Sequence, residues 1–254
     1  MSADAPVQQV MITLQFADLI VPLHALQISR FYEMVREILP NFDQVAPAGP
    51  MPTSIPAMIG VEPEPFIASN FPRIRLSGSD ESEIFLFQHD RISFAWHKSD
   101  KSVLYPGFEA ALDRLFFFLE KYRSFVKDEF NGDISFKAGE VSYIDVFKTS
   151  DSDDKKVRLS SIYHLFNPGD VKFGMAGYAF NWNEVISNPD GVLVTTISCP
   201  PMGPTPEALS TLQMTATFSC SGKDEGELGP TILSVRDRIR TSYRGLVHEH
   251  LQGY

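Results

Sequence analysis

The sequence predicts an α+β fold in which an antiparallel sheet carries two long helices on one face. Three observations lead to this prediction. Short segments alternate apolar and polar residues, which is typical of half-buried strands, and two long stretches have apolar residues at helical spacing. The order of these segments in the first half is also replayed in the second half. We therefore expect two pseudo-repeated halves, residues 1–130 and 131–254, that pack as one unit.

The first half begins with a strand predicted at 11–16 and a helix predicted at 23–39, which Pro40 ends. The apolar residues with approximate helical spacing in this stretch are Leu26, Phe31, Met34, Val35 and Ile38. Seven prolines then fall within 47–72, and this density excludes a helix or a central strand. We predict a long extended loop there.

A β-hairpin and a long helix complete the first half. Residues 82–89 and 91–97 alternate in the strand pattern and are joined by a tight connection near Asp90. A helix starts at Pro106, and its apolar residues recur at i, i+3 and i+4. We expect Phe94 and Trp96 to be buried on the sheet face beneath this helix, because they share one side of their strand.

The second half is predicted to add four strands and a last helix. The strands are expected at 140–148, 177–186, 192–199 and 209–220, with a charged loop at 151–156 and a short apolar segment at 159–166. Asn188-Pro189-Asp190-Gly191 has Pro at the second position and Gly at the fourth, which favours a type I turn in a hairpin. The helix is expected from Pro230 to Leu251, with an apolar stripe along one side.

The charge balance excludes several classes of partner. The 254 residues include 32 acidic and 22 basic side chains, and the formal net charge is −10. This charge repels phosphate backbones and anionic lipids, so neither a nucleic acid nor a membrane is expected as a partner. The first 29 residues contain no Lys or Arg, and no apolar run approaches the roughly 20 residues that cross a bilayer. We expect a cytoplasmic protein.

The cysteines give no sign of a disulfide framework or a metal site. Cys199 and Cys220 are the two cysteines of the chain, and two thiols are too few for either role. We expect buried free thiols. We also expect no structural metal and no cofactor, because neither the cysteines nor any histidine pair has ligand spacing.

Catalytic motifs are absent from the sequence. It contains no P-loop, G-x-G-x-x-G, G-x-S-x-G, H-E-x-x-H or C-x-x-C motif, and together these absences favour a non-enzymatic protein. The strongest alternative site is formed by His89, Asp90 and His97, near one hairpin, where an acid and imidazoles could meet for acid–base work. That alternative would make the protein a hydrolase or a nucleotide-processing enzyme.

An arginine stripe is the preferred candidate binding site. Arg236, Arg240 and Arg244 lie four residues apart on the predicted last helix, so they share one helix face. Guanidinium groups suit bidentate recognition of carboxylate or phosphate. The stripe is therefore predicted to bind an anion or an acidic partner, unless the protein's own Asp and Glu side chains pair with it.

Several runs of the sequence resemble a sporadically distributed bacterial family whose function is uncharacterised and whose usual name is only a catalogue number. The resemblance covers most of the chain, and its most specific parts are the hairpin ending in Trp96 and the Tyr-Pro start of the following helix. The runs that carry it are Arg75–Ser77, Phe85–Lys98, Tyr105–Glu109, Glu140–Val146 and the last helix. The family commonly has Asn where Ala95 and Asp145 stand, and His at or near Arg236, so a polar site shared by the family would be altered here.

The resemblance implies no established catalytic activity. The patchy occurrence of the family is similar to that of mobile toxin–antitoxin and phage-defence genes, which is an association rather than a mechanism. Together with the missing catalytic motifs, it predicts a non-enzymatic component that binds another protein. An enzyme that uses the His89–His97 hairpin or the arginine stripe is the alternative.

Overall fold

The structure is a computed structural model that describes residues 7–20, 23–49, 51, 72–100, 103–148, 162–165, 178–199, 209–221, 223 and 225–249. Within these residues the fold is α+β, with a nine-stranded antiparallel sheet and three helices. The predicted fold class and the antiparallel sheet are therefore confirmed. Most of the predicted proline-rich loop and the whole charged loop at 151–156 lie outside the described residues.

The sheet runs through both halves of the sequence. Its strands are β1 (Val7–Phe16), β2 (Asn41–Val45), β3 (Arg73–Ser77), β4 (Glu83–Gln88), β5 (Arg91–His97), β6 (Phe136–Lys148), β7 (Tyr178–Ser187), β8 (Asp190–Cys199) and β9 (Leu209–Ser219). The helices are α1 (Ala25–Val35), α2 (Phe108–Phe130) and α3 (Glu225–Leu246). The strand order is β2-β3-β4-β5-β1-β6-β9-β8-β7, so β1 and β6 join the two halves.

The sheet face beneath α2 is apolar, as the hairpin pattern predicted. Ile12 of β1 lies opposite Phe94 of β5, and Val10 lies opposite Trp96. All four side chains are buried, and the ring of Phe94 stacks on Phe118 of α2 with 6.1 Å between centroids. The predicted burial of Phe94 and Trp96 beneath this helix is confirmed.

Helix α1 buries only part of the predicted apolar stripe, namely Phe31 and Val35. Its buried residues are Ile28, Phe31 and Val35, whereas Leu26 and Met34 are exposed. The observed stripe follows i, i+3 and i+7 spacing, and it is selected by the aromatic cluster that Phe31 enters. The rings around Phe31, with centroids 5.0 to 5.8 Å from it, are Phe85, Phe87, Tyr122 and Phe125.

Helix α3 has the predicted apolar stripe but different ends. The predicted buried residues are Ile232, Val235, Ile239, Tyr243, Leu246 and Val247, and all are buried. The helix starts at Glu225, so Pro230 lies inside it, near the N-terminal end where few backbone hydrogen bonds are lost. It ends at Leu246 because Val247 pairs with Tyr163 in an isolated β-bridge.

The β7–β8 hairpin is confirmed, but its turn differs from the predicted type I turn. Ser187 pairs with Asp190, so Asn188 and Pro189 are the two central residues and are joined by a cis peptide bond. Gly191 therefore lies in β8 rather than in the turn. A Cβ atom there would be 2.3 Å from the carbonyl oxygen of Thr217, so close approach of the strands explains the glycine.

Candidate functional site

A surface cleft lies between the start of α2 and the middle of α3, with the sheet as its floor. We call it the α2–α3 cleft. Its volume of about 260 Å³ is at the small end for ligand pockets, which hold about 300–1,000 Å³. Its apolar and aromatic lining includes Tyr105, Phe108, Tyr143, Met214, Ile239 and Tyr243, and its charged lining is Glu109, Arg236 and Arg240. A cleft of this size suits one or two side chains better than a large cofactor.

The backbone before α2 shapes one wall of the cleft. Gly107 precedes the helix with φ of +99°, a conformation that glycine adopts without steric cost. The helix therefore begins at Phe108, two residues later than the predicted start at Pro106. This turn allows Tyr105 and Phe108 to line the same cleft, and the Tyr105 ring also packs against Trp96 with 5.1 Å between centroids.

Arg236 connects the two helices across the cleft. Its guanidinium donates to Glu109 Oε1 at 2.5 Å and to Asp237 Oδ1 at 2.8 Å. It also lies over the ring of Phe108, 5.5 Å from the centroid. Burial disfavours the charged form of Arg236, but Asp237 and Glu109 outweigh burial and raise its pKa. The cleft therefore keeps a positive charge whose side chain is 17% exposed.

Arg240 and Arg244 occupy different environments along the predicted stripe. Arg240 is half-buried and lines the cleft, and its buried Nε has no hydrogen-bond partner among the described residues. Arg244 is exposed one turn further along α3 and does not line the cleft. The structure thus brings together two of the three predicted arginines, and it pairs Arg236 with acids of the same chain.

Two tyrosines of the cleft are held in their protonated form. Burial is the main cause that raises the pKa values of Tyr105 and Tyr143, and the two hydroxyl groups lie close enough to perturb each other. Neutral tyrosines can donate hydrogen bonds to an anion. Both residues lie within the runs that carry the family resemblance, but nothing in their local pattern predicted that they share a cleft with Arg236 and Arg240.

The alternative site formed by His89, Asp90 and His97 is not assembled. His89 and Asp90 form the turn between β4 and β5, whereas His97 is exposed at the far end of β5. His97 is six residues further along the extended strand than Arg91, about 20 Å at 3.3 Å per residue. Asp90 instead pairs with Arg91 at 2.6 Å, and burial is the main cause that lowers the pKa of His89.

The comparisons assign no family to the chain. No protein-family model matches the sequence, and no curated protein matches it. Within the described ranges, no group of three or more His, Cys, Asp or Glu residues is placed to hold a metal ion. None of the helices in those ranges has both the length and the apolar character needed to cross a membrane. The family resemblance described above stays a prediction.

Proposed function

We propose that this protein is a non-enzymatic binding protein whose α2–α3 cleft receives an acidic, partly apolar segment of a protein partner. The observation that carries the proposal is the Nε of Arg240, which is buried and has no hydrogen-bond partner among the described residues. A buried donor without a partner costs about 1–3 kcal/mol. A partner carboxylate that accepts from Arg240 would recover this free energy, and the apolar lining would bury the rest of the segment.

Charge complementarity identifies the kind of partner. Arg240 lines the cleft beside Arg236, whose charge is balanced by Glu109 and Asp237, on a protein whose net charge is −10. Such a local patch attracts acidic groups while the remaining surface repels them, which favours one orientation of an acidic partner. The partner is therefore expected to present Asp or Glu beside an aromatic or aliphatic residue.

The titratable groups of the cleft favour recognition over proton transfer. A general acid or base works best when its pKa lies near the working pH. The pKa of Arg236 is raised, and burial raises those of Tyr105 and Tyr143. These groups therefore stay protonated at neutral pH and act as hydrogen-bond donors, which suits an anionic partner group.

We also infer that the chain contains two pseudo-repeated halves with both long helices on one face. From the central β1–β6 pair, the sheet continues as β5-β4-β3 on one side, where β2 adds a fourth strand at the edge, and as β9-β8-β7 on the other. Helix α2 contacts β5 and β1, and α3 contacts β9 and β6. This correspondence supports the inference, and it would place the α2–α3 cleft between equivalent helices of the two halves.

The sequence-based expectations about biological context remain part of the proposal. A cytoplasmic protein partner is expected, and the family resemblance adds that the pair belongs to a toxin–antitoxin or phage-defence system. The product of a neighbouring gene is therefore the first candidate partner. The cleft gives this candidate a property that can be checked in its sequence, namely an exposed acidic segment with an adjacent apolar residue.

A displayed peptide library provides a test that does not depend on knowing the partner. Peptides are selected on the immobilised full chain, and the dissociation constants of the enriched peptides are measured for the wild type and for the double variant Arg236→Gln/Arg240→Gln. We expect enrichment of peptides with an acidic residue beside an apolar one. The double variant should bind them at least about 30-fold more weakly, since a hot-spot residue contributes about 2 kcal/mol or more.

Arg238→Gln is the matched control. Arg238 is on the same helix, and its substitution removes one positive charge where the double variant removes two, but it pairs with Glu184 at 3.0 Å and does not line the cleft. The control should bind the selected peptides like the wild type, and circular dichroism should show that all variants are folded. The proposal is wrong if no acidic peptide is enriched, or if the double variant and the control bind equally well.

A further inference from the structure

Two acidic residues bind the guanidinium of Arg236 from opposite sides. Its Nη1 donates to Asp237 at 2.8 Å, and its Nη2 donates to Glu109 at 2.5 Å. Glu109 lines the α2–α3 cleft together with Arg236, whereas Asp237 lines a different groove, between α3 and the end of β7. One nitrogen of the guanidinium is therefore bonded outside the cleft, and the other is bonded at the cleft.

The contacts other than Glu109 are sufficient to keep Arg236 in place. Asp237 is the next residue of α3, so its ion pair with Arg236 does not depend on how α2 is positioned. The guanidinium also lies over the ring of Phe108, which is 2% exposed, and a cation over an aromatic face is attracted to it. Without Glu109, Arg236 would still present Nη2 to the cleft as a donor.

Glu109 can leave Arg236 at little cost. Its side chain is 64% exposed, against 17% for that of Arg236. Ion pairs with an exposed member contribute little, because water and salt compete for the charges. Glu109 also lies in the first turn of α2, where the helix dipole favours a carboxylate with or without an ion pair. The released carboxylate would therefore remain hydrated and favourably placed.

A carboxylate that enters the cleft arrives where Glu109 is bound. Arg236 and Arg240 both line the cleft and lie one helical turn apart, about 6 Å along the axis of α3. A partner carboxylate that accepts from Arg240, as proposed above, is therefore beside Nη2 of Arg236. Two carboxylates at one guanidinium nitrogen repel each other, so Glu109 and the partner compete for this donor.

We propose that Glu109 is an internal substitute for the partner's carboxylate, and that the partner displaces it from Arg236 on entering the cleft. This inference rests on the proposed function and adds the regulation of the same site. Exchange of one carboxylate for another keeps the partly buried guanidinium paired in both states. It also makes binding selective, because an acidic segment without a fitting apolar side chain gains too little to displace Glu109.

Removing the charge of Glu109 tests the displacement. The dissociation constants of the selected acidic peptides are measured for the wild type and for Glu109→Gln, and circular dichroism checks that both are folded. Glu109→Gln should bind the peptides about twofold to fivefold more tightly, because they no longer compete with an exposed ion pair. Structural damage to the cleft would weaken binding, so a gain in affinity is specific to displacement.

Asp237→Asn is the matched control. It removes the same charge from the same guanidinium, and the side chain of Asp237 is 66% exposed, close to that of Glu109. A general electrostatic effect would raise the affinity of both variants equally. Displacement predicts that Asp237→Asn binds no more tightly than the wild type, because Asp237 positions Arg236 from outside the cleft and is not exchanged.

The salt dependence of binding gives a second measurement. In the wild type one ion pair of Arg236 breaks as another forms, whereas in Glu109→Gln the ion pair with the peptide is gained without a loss. Because salt screens exposed ion pairs, added salt should weaken peptide binding more in Glu109→Gln than in the wild type.

Three results would overturn the inference: equal or weaker binding by Glu109→Gln, an equal gain in affinity by Asp237→Asn, or equal salt dependence of Glu109→Gln and the wild type. None of them contradicts the proposed function, which is tested by the double variant Arg236→Gln/Arg240→Gln. If no acidic peptide is selected, the proposed function is wrong and the inference about Glu109 is wrong with it. The two failures are therefore distinguishable.

Discussion

Replacing Trp96 by alanine tests how the hairpin, α2 and the cleft depend on one another. Trp96 is 3% exposed and its ring contacts Tyr105, which lines the α2–α3 cleft. An aromatic side chain buries about 150–250 Å², which corresponds to about 4–6 kcal/mol at 25 cal/mol per Å². This area-based figure is an upper bound, and aromatic-to-alanine substitutions in cores cost about 3–5 kcal/mol. We expect a loss of about 3–5 kcal/mol for Trp96→Ala.

Urea denaturation followed by far-UV circular dichroism measures this loss directly. For a chain of 254 residues, each kcal/mol lowers the melting temperature by about 2–4 °C, so a decrease of about 6–20 °C is expected. Trp182→Ala is the control, because Trp182 is half-buried on the outermost strand β7 and should cost less. A loss below about 1 kcal/mol for Trp96→Ala would refute the reasoning, since it would mean that the Trp96 side chain is not packed in the core.

Three further predictions follow from buried groups and close contacts. Asp90→Asn should cost about 3–5 kcal/mol near neutral pH by leaving Arg91 without its counter-charge. Burial opposes ionisation of Asp90, but the ion pair with Arg91 outweighs burial and lowers the pKa of Asp90. The stability that this ion pair contributes is therefore lost as the pH falls through the pKa of Asp90 in the folded protein. The free energies of unfolding of variant and wild type, measured with urea, should then converge, and a difference that stays constant with pH would contradict this. Gly191→Ala should cost about 1–3 kcal/mol of stability, because the new Cβ would lie 2.3 Å from a backbone oxygen. Gly245→Ala is the control: a Cβ there has nothing within 4 Å, so this variant should stabilise α3 by about 0.5–1 kcal/mol. Equal effects of the two variants in thermal melts would be inconsistent with the close contact at Gly191. Burial raises the pKa of the Cys220 thiol to about 12. Iodoacetamide should therefore leave this thiol unlabelled in the native protein and label it in urea, as measured by mass spectrometry. Labelling of the native protein as fast as that of the unfolded protein would disprove the burial.

The helices and the central hairpin could be predicted because their signals are local. The apolar stripes of α2 and α3 depend on residues three and four positions apart, and the β4–β5 hairpin depends on alternation around one tight turn. Each pattern is contained within a short stretch of chain. The stripe of α1 was predicted only in part, because several apolar residues there allow more than one stripe and the aromatic cluster around Phe31 selects among them.

Strands β2 and β3 were not predicted, because their strand conformation depends on pairing with distant segments rather than on a local pattern. Each has five residues, Asn41–Val45 and Arg73–Ser77, and they stand on either side of the proline-rich stretch. β2 is mostly exposed, so it lacks the strong alternation of a half-buried strand. Its strand conformation comes from pairing with β3, and β3 in turn pairs with the predicted strand β4. Such pairing is not encoded in the local pattern of either segment.

The candidate cleft was partly contained in the sequence. The four-residue spacing of Arg236 and Arg240 places them on one face of α3, and the structure has both lining the cleft. The sequence left open whether the arginine stripe forms ion pairs with acidic residues of the same chain. Arg236 does so with Glu109. The separation of His97 from His89 and Asp90 also followed from the predicted length of strand 91–97, although the sequence interpretation grouped the three residues.

The sequence by itself determined the α+β class, the antiparallel strands and the apolar faces of the long helices, because each depends on periodicity between near neighbours. Only the tertiary structure decided which polar groups meet. Glu109 reaches Arg236 across 127 residues of chain, and Glu129 reaches Arg30 across 99. These meetings depend on strand order and on the docking of α2 and α3, which are set by burial of the whole core rather than by any segment alone.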